Sequence, residues 1–421
     1  MIEAHARQFE RRLTSVIEQR LKTEIVIGLQ GARSVGKSTL LRGIATTRGV
    51  EVIDLDDPVI RSIVESNIQA FMSGSSPVCI DEYQHVPEVL DAIKAELNKE
   101  QRPGRYVITG STRYDALPRA AQSLTGRLHM LTVRPLSQGE IGGVHETFVE
   151  KSLSEPACLV NSQKSKTARI DYVARIVAGG FPMALQRTVG ADRNRWFADY
   201  VQQTLERDLL GLSMVRQRAK LPQLLEQLAG QTGQLLNIRK AAESIDLEPR
   251  TAENYSKLLA AVFLIQLLPA WGQTLRSRAG AKPKLHLVDS GVAAWLMRLT
   301  PQRLSLLEPA ALTEFGHLLE TFVVGEILKQ VSWFDDVVNV GHWRTHDGDE
   351  IDIVLERADG RVVAMEVKAG SRTISGDLRS LRKFRDALGD RFLGGFLMNT
   401  GERSYSPEDR LHVMPIDRLW G

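Results

Sequence analysis

Short apolar runs of strand length recur through the first third of the chain. Ile25-Val26-Ile27-Gly28-Leu29 is continuous and mostly β-branched, and such a run reads as a strand buried on both faces. The signature returns in residues 50–58, in Pro77-Val78-Cys79-Ile80-Asp81-Glu82, and in Arg105-Tyr106-Val107-Ile108-Thr109-Gly110-Ser111. Thr39-Leu40-Leu41-Arg42-Gly43-Ile44 reads as a helix start, and a polar amphipathic helix over 8–21 (Gln8, Arg11, Arg12, Glu18, Arg20) reads as a solvated lead-in. Strands interleaved with helical stretches predict an open α/β sheet, whose ligands gather at the carboxyl ends of the strands.

The pattern then changes. Residues 141–167 are polar and irregular and predict a linker or loop; helical stretches at 170–177, 195–212 and 221–229 predict a helical lid. A short helix over 237–245, a turn at 246–249, a helix over 250–262 and strands at 263–268 and 284–288 predict a winged helix-turn-helix. Its second helix would present Arg250, Thr251, Asn254, Tyr255 and Lys257, and its wing carries Arg276, Arg278 and Lys282, although Glu248 and Glu253 oppose contact with phosphate. Residues 312–331 are apolar around most of a helix, which buries Glu320 and Glu326; a buried carboxylate is costly without a cation or hydrogen bonds, so both are site candidates.

In residues 350–368 the register can be tested. A three-residue loop Ala358-Asp359-Gly360, with Gly360 left-handed, sets Leu355 opposite Val363, Ile353 opposite Met365 and Ile351 opposite Val367, an all-apolar face. The other face then holds Asp352 opposite Glu366 and Glu350 opposite Lys368, whereas a two-residue loop mixes the faces. With a strand at 337–342, a helix at 377–388 and a strand at 392–398, a second α/β core is expected.

At 421 residues several domains are expected, and the boundaries fall at 1–145, 146–235, 236–300 and 301–421. A formal charge of +3 neither demands nor excludes nucleic acid. Two cysteines, Cys79 and Cys158, are too few for a disulfide scaffold, the N-terminus lacks an apolar signal core, and no long apolar stretch follows; a cytoplasmic protein with no membrane contact is expected.

Gly31-Ala32-Arg33-Ser34-Val35-Gly36-Lys37-Ser38 meets every position of G-x-x-x-x-G-K-[ST], between the first strand and the first long helix, with Thr39 next. Backbone N–H groups and the helix N-terminus would cradle phosphates, Lys37 would neutralise the terminal ones, and Ser38 would ligate Mg²⁺. Asp81 would join the Mg²⁺ shell and Glu82 would orient and deprotonate the attacking water. Ser111 or Thr109 would contact the γ-phosphate or that water. At the far end, Asp352 and Glu366 form a candidate divalent-metal site for Mg²⁺ or Mn²⁺, with Lys368 helping to activate water and Glu320 or Glu326 as a further carboxylate.

The P-loop together with Cys79-Ile80-Asp81-Glu82-Tyr83-Gln84, Ile108-Thr109-Gly110-Ser111, Leu124-Thr125-Gly126-Arg127, Arg134-Pro135-Leu136-Ser137 and Gly179-Gly180-Phe181-Pro182 resembles a large prokaryotic family of AAA-type (AAA+) ATPases. In that family a C-terminal domain of unknown function looks like a PD-(D/E)XK nuclease, and Asp352, Glu366 and Lys368 resemble its D…E-x-K core. The resemblance implies a sensor-1 role for Ser111 and an arginine contact to phosphate from Arg127, in cis or from a neighbouring subunit of a homo-oligomer. The fold class so implied is α/β: a P-loop NTPase domain with a helical lid, a winged helix-turn-helix and a restriction-endonuclease-like domain. The function expected is an ATPase whose nucleotide state controls a DNA-associated winged helix and a metal-dependent nuclease-like domain, with RNA as the other nucleic acid. The alternative is a non-cleaving, nucleotide-controlled switch acting on a protein or nucleic-acid partner.

Overall fold

The computed structural model describes residues 9–116, 124–209, 215–272, 281–305 and 309–421. Gln8, the end of the helix expected over 195–212, and Arg276 and Arg278 of the expected wing lie outside the described residues.

Five parallel strands make the first sheet: β1 (Val26–Gln30), β2 (Val52–Asp54), β3 (Val78–Asp81), β4 (Tyr106–Gly110) and β5 (Leu128–Thr132), in the order β2-β3-β4-β1-β5. The helix Lys37–Arg48 packs on it through buried Leu40, Leu41, Ile44 and Ala45 and stops at Gly49, whose φ of 65° lies in the left-handed region that ends helices. Asp57 caps the helix Pro58–Ser66, accepting from the Val59 N–H at 2.7 Å. The lead-in helix is not merely solvated: Leu13 and Ile17 are buried in the main core, and Arg11 grips the P-loop.

The stretch expected to be a linker is largely folded. Phe148–Ser154 is a helix with Phe148, Val149 and Leu153 buried, and Phe148 meets Phe396 of the last sheet edge-on at 5.5 Å between centroids. Its flanking polar residues hid one apolar face. The helix Arg169–Ala178 ends at Gly179 (φ 66°), and Ala191–Gln203 continues into a π-helical turn, Thr204–Leu209.

Next come the helix Lys220–Ala229, β6 (Gln234–Leu235), the helices Ile238–Glu243 and Pro249–Ala261, then β7 (Ile265–Leu268) and β8 (Lys284–Leu287). The strands form an antiparallel sheet of order β6-β8-β7. Lys220–Ala229, expected in the lid, instead packs on the two following helices and β8 through buried Leu221, Leu224, Leu225 and Leu228.

The long helix Pro309–Val331 leads into a mixed six-stranded sheet of order β13-β14-β12-β11-β10-β9. Its strands are β9 (Val337–Arg344), β10 (Glu350–Arg357), β11 (Val362–Val367), β12 (Phe392–Asn399), β13 (Tyr405–Glu408) and β14 (Leu411–Pro415), and the helix Arg379–Leu388 connects β11 to β12. The β10–β11 register is the expected one, with Ile353 opposite Met365 and Leu355 opposite Val363. The turn closes through Gly360, at φ 79°, with its N–H on the Arg357 carbonyl at 2.9 Å.

This sheet is joined to the three-stranded unit by backbone. The Trp271 N–H donates to the His342 carbonyl at 2.6 Å and the His342 N–H to the Pro269 carbonyl at 2.9 Å. A Cβ at Gly341 would sit 2.7 Å from that Pro269 oxygen, so the close approach requires glycine. Among the described residues no helix is long and apolar enough to cross a membrane.

Candidate functional site

The P-loop leaves the carboxyl end of β1 and feeds the helix Lys37–Arg48. A Cβ at Gly31 would meet the Val133 carbonyl oxygen at 2.2 Å, and Gly36, with φ 99°, turns the chain into the helix, so neither position accepts a side chain without strain. The buried Lys37 Nζ donates to the carbonyls of Gly31 and Ala32, each at 3.0 Å, and lies 4.0 Å from Glu82 Oε1. The loop, Asp54, Asp56, Asp81 and Glu82 line an open cavity of about 650 Å³, whose other wall is Leu136, Pro182 and Met183.

Asp81 ends β3 and is buried; its carboxylate accepts the Thr109 hydroxyl and is hydrogen-bonded by Ser38. Glu82 follows with left-handed backbone (φ 52°), uncommon for a residue with a side chain. Gln84 Nε2 donates both to Glu82 Oε2 and to Ser111 Oγ, the latter at 3.0 Å. Thr109 thus holds Asp81, and Ser111 is tied to Glu82 through Gln84. Burial pushes the Glu82 carboxyl up, but the Lys37 ammonium and the Gln84 amide outweigh it and hold the group below the usual carboxylate range. Burial pulls the Lys37 ammonium down and pushes Asp81 up.

The second cluster lies where β10 and β11 meet the long helix. Asp352 Oδ2 accepts the Val367 N–H at 2.9 Å, and Lys368 Nζ is 2.6 Å from Glu366 Oε1. Glu320, Glu350, Asp352, Glu366 and Lys368 all face one open cavity of about 480 Å³. Behind these carboxylates, and not part of the cavity's lining, lies a residue that the sequence did not mark. Lys284, the first residue of β8, has a side chain only 1% exposed, and its Nζ lies 2.8 Å from Glu320 Oε1, 2.5 Å from Glu350 Oε1 and 2.8 Å from Asp352 Oδ1. Burial opposes its charge, but Asp352, Glu320 and Glu350 prevail and hold the ammonium above its ordinary range. Burial pushes Glu366 up to about 7 against the pull of Lys368.

Residues 23–142 match the family model described as an AAA domain. With the P-loop geometry above, that makes this part of the chain a P-loop ATPase domain of the AAA type. Residues 169–303 match a domain of unknown function (DUF8612), and residues 315–419 match another (DUF4143). Over 395 residues the chain is 25% identical to Uncharacterized protein Rv2008c of Mycobacterium tuberculosis, covering 94% of this chain and 80% of that one. Uncharacterized protein Mb2031c of Mycobacterium bovis matches to the same extent. Among solved structures, the Walker-type ATPase of Pyrococcus abyssi is similar at 15% identity and a TM-score of 0.42, covering 69% of this chain and 96% of that one. The RuvB Holliday junction branch migration motor of Thermotoga maritima is similar at 16% and 0.29, covering 60% and 88%.

Three expectations need correction. Arg127 cannot reach a phosphate on its own P-loop. Leu128 pairs with Val26 at the start of β1, the P-loop begins after Gln30, and Arg127 hydrogen-bonds Asn98 at 2.9 Å; the two ends of β1 are about 13 Å apart at ~3.3 Å per residue. The arginines lining the P-loop cavity are instead Arg11, Arg33 and Arg42 among the described residues, and Arg33 is paired with Asp208 (Nη2 to Oδ1 2.7 Å). Glu326 is not near the acidic cavity. It is fully buried, accepts the Gln138 N–H at 2.8 Å and pairs with Lys329 Nζ at 2.6 Å, while Lys329 also donates to the Leu136 carbonyl at 3.0 Å. Tyr255 is no surface reader, since it is buried with its hydroxyl accepting the Gln217 N–H at 3.2 Å.

The acidic cavity as arranged does not fit a divalent cation, because an ammonium lies among its carboxylates. Among the described residues no group of three or more His, Cys, Asp or Glu is disposed to hold a metal ion. By contrast the P-loop residues do suit Mg²⁺: Ser38 and Asp81 are adjacent hard oxygen donors beside Lys37.

Arg11, read from sequence as part of a solvated face, donates to the Val35 carbonyl and the Arg134 carbonyl, each at 2.7 Å, and to Glu140 at 3.1 Å. Asp289, also unmarked, accepts N–H bonds from Gly180, Gly291 and Val292, and a Cβ at Gly179 would sit 2.2 Å from its Oδ1. The Gly-Gly and Arg-Pro-Leu-Ser motifs therefore join: a Cβ at Gly180 would meet the Leu136 carbonyl at 2.4 Å. Only the arginine in an otherwise amphipathic lead-in and the acid directly after an apolar strand could have hinted at these roles.

Proposed function

We propose that the chain hydrolyses ATP and that its nucleotide state acts on a DNA-associated winged helix and a nuclease-like C-terminal domain. The observation that carries this reading is the Glu82 carboxylate held ionised beside Lys37, with Gln84 and Ser111 fixing its orientation. P-loop N–H groups and Lys37 bind and neutralise the phosphates; Glu82 takes a proton from the water that attacks the γ-phosphorus as the bond to ADP breaks. Ser38 and Asp81 would hold the Mg²⁺ that accompanies ATP, which would supply charge neutralisation of the phosphates.

The winged-helix reading is supported by three helices packed on a three-stranded antiparallel sheet, with Arg250, Asn254 and Lys257 exposed on the helix Pro249–Ala261. Glu253 pairs with Lys257 at 2.9 Å, whereas Arg250 has no ion pair among the described residues and is exposed for phosphate steering. The non-cleaving switch is a second reading, and the Lys284 ammonium bonded to the acidic cavity's carboxylates favours it.

The test is ATP turnover and duplex binding by the full chain and by Arg250→Glu/Lys257→Glu. Wild type is expected to bind duplex DNA in a salt-dependent way and to change its turnover on binding, and the double variant to lose about ten-fold or more in affinity with basal turnover unchanged. Turnover indifferent to DNA, with equal binding by both proteins, would remove the DNA reading.

A further inference from the structure

Three carboxylates converge on one ammonium in the C-terminal cavity, and that ammonium does not come from the C-terminal sheet. Glu320 is on the long helix and Glu350 and Asp352 are on β10, whereas Lys284 enters from β8 of the neighbouring three-stranded unit, where it pairs with Leu268 of β7 and Leu235 of β6. Glu350 also pairs with Arg344 (Nη1 to Oε2 3.2 Å) and Glu366 with Lys368, so four acids face three cations and the cluster is one positive charge short. Buried carboxylates in that state are stabilised by any further cation that can reach them.

A separate observation points to a cation rather than to a closed ion-pair cluster. Glu366, on β11 beside Asp352, has a side chain 9% exposed; Lys368 covers its Oε1, while its buried Oε2 has no hydrogen-bond partner and the residue faces the same cavity. A buried carboxylate oxygen without a donor is an acceptor waiting for a ligand. Hard oxygen donors from Glu320, Asp352 and Glu366 are the chemistry that divalent cations of the Mg²⁺ and Mn²⁺ class require.

We infer that Lys284 is an autoinhibitory plug: its ammonium stands in for a divalent cation among Glu320, Glu350 and Asp352, and the cavity takes Mg²⁺ or Mn²⁺ only when that ammonium is removed or withdrawn. The unit that carries Lys284 is held on both sides. Its β7 end is bonded to β9 through Pro269, Trp271 and His342, and Gln266 on β7 accepts Arg134 Nη1 of the ATPase domain at 2.7 Å. A displacement of that unit is the movement that withdraws the ammonium. The inference rests on the nuclease-like reading only for the class of ligand, and it does not require cleavage.

The experiment uses the full chain without nucleotide, titrated with Mn²⁺ alone and followed by the EPR signal of free Mn²⁺, in wild type, Lys284→Met, Lys284→Gln, Lys284→Arg and Lys284→Met/Asp352→Asn. Lys284→Met and Lys284→Gln keep most of the side-chain length without its charge. Each is expected to bind about one Mn²⁺ more than wild type and to melt at a temperature that Mn²⁺ raises more than in wild type. Lys284→Arg should behave as wild type, and the double variant should lose the extra site. Wild type binding Mn²⁺ at a site that Asp352→Asn abolishes would overturn the plug, and this arm needs no Lys284 variant to fold. Folded, uncharged variants that bind no more Mn²⁺ than wild type would overturn it equally. Plasmid nicking by Lys284→Met with Mn²⁺ separates the two readings: Mn²⁺ bound at Asp352 without nicking leaves the plug standing and removes the nuclease.

Discussion

Glu82→Gln is expected to lower ATP turnover by about 10²–10⁴-fold, the range a positioned general base contributes, while ATP binding stays within a few-fold of wild type. The amide keeps the shape and can still accept from Gln84, but it cannot take a proton. The P-loop contacts of Lys37 with the Gly31 and Ala32 carbonyls do not depend on Glu82. Because the Lys37 ammonium and Gln84 hold the Glu82 carboxyl below its ordinary range despite burial, the base stays ionised as pH falls toward the usual carboxylate value. Wild-type turnover should therefore not be lost through this group until the solution is more acidic than that. Phosphate release gives the rate, and a fluorescent-nucleotide titration gives the binding. Full turnover by Glu82→Gln would move the base elsewhere, and loss of binding in parallel with turnover would make Glu82 a binding group instead.

Glu326→Ala is expected to cost about 3–5 kcal/mol of stability, the penalty for breaking a buried ion pair on one side. The buried Lys329 ammonium loses its counter-charge and keeps only the Leu136 carbonyl, and the Gln138 N–H, in the short helix that ends the ATPase domain, loses its acceptor. The same long helix carries Gln330, which accepts the Val149 N–H at 3.1 Å and donates to the Leu419 carbonyl at 2.7 Å, so this turn of helix fastens three parts of the chain together. Glu326→Gln retains an acceptor for Gln138 and should cost less than the alanine. Urea unfolding measures both. A change within about 0.5 kcal/mol for the alanine would mean that the contact is not a clamp.

What could be read without the structure follows from where the information lies. Strands β1, β3 and β4 are buried on both faces, so their apolar runs are continuous and visible. Strand β5 lies at the edge and is only half-covered, and Leu128-His129-Met130-Leu131-Thr132 carries no such run. The β10–β11 register was legible because only one loop length keeps one face apolar. The P-loop is local in sequence and was legible for the same reason.

Lys284 was not. At the head of an apolar strand next to a basic loop it looks like any solvated wing residue, and its partners lie 36 and 68 residues away on a helix and another sheet. Glu320 and Glu326 were equivalent by composition, both acids on a buried helix. They differ only in which neighbour each meets, Lys284 in one case and Lys329 with Gln138 in the other. Phe148, Val149 and Leu153 were masked by polar neighbours, because a single helical turn of apolar residues is too short a pattern to outweigh them.

The claim on which the rest depends is that Gly31 to Ser38, with Asp81 and Glu82 behind it, forms a site that hydrolyses ATP. Phosphate release from Mg²⁺-ATP by the wild-type chain, measured beside Lys37→Ala, tests it most directly. Steady release by wild type that chelation of Mg²⁺ stops and that Lys37→Ala lacks is the predicted result; equal release by the two proteins would contradict it.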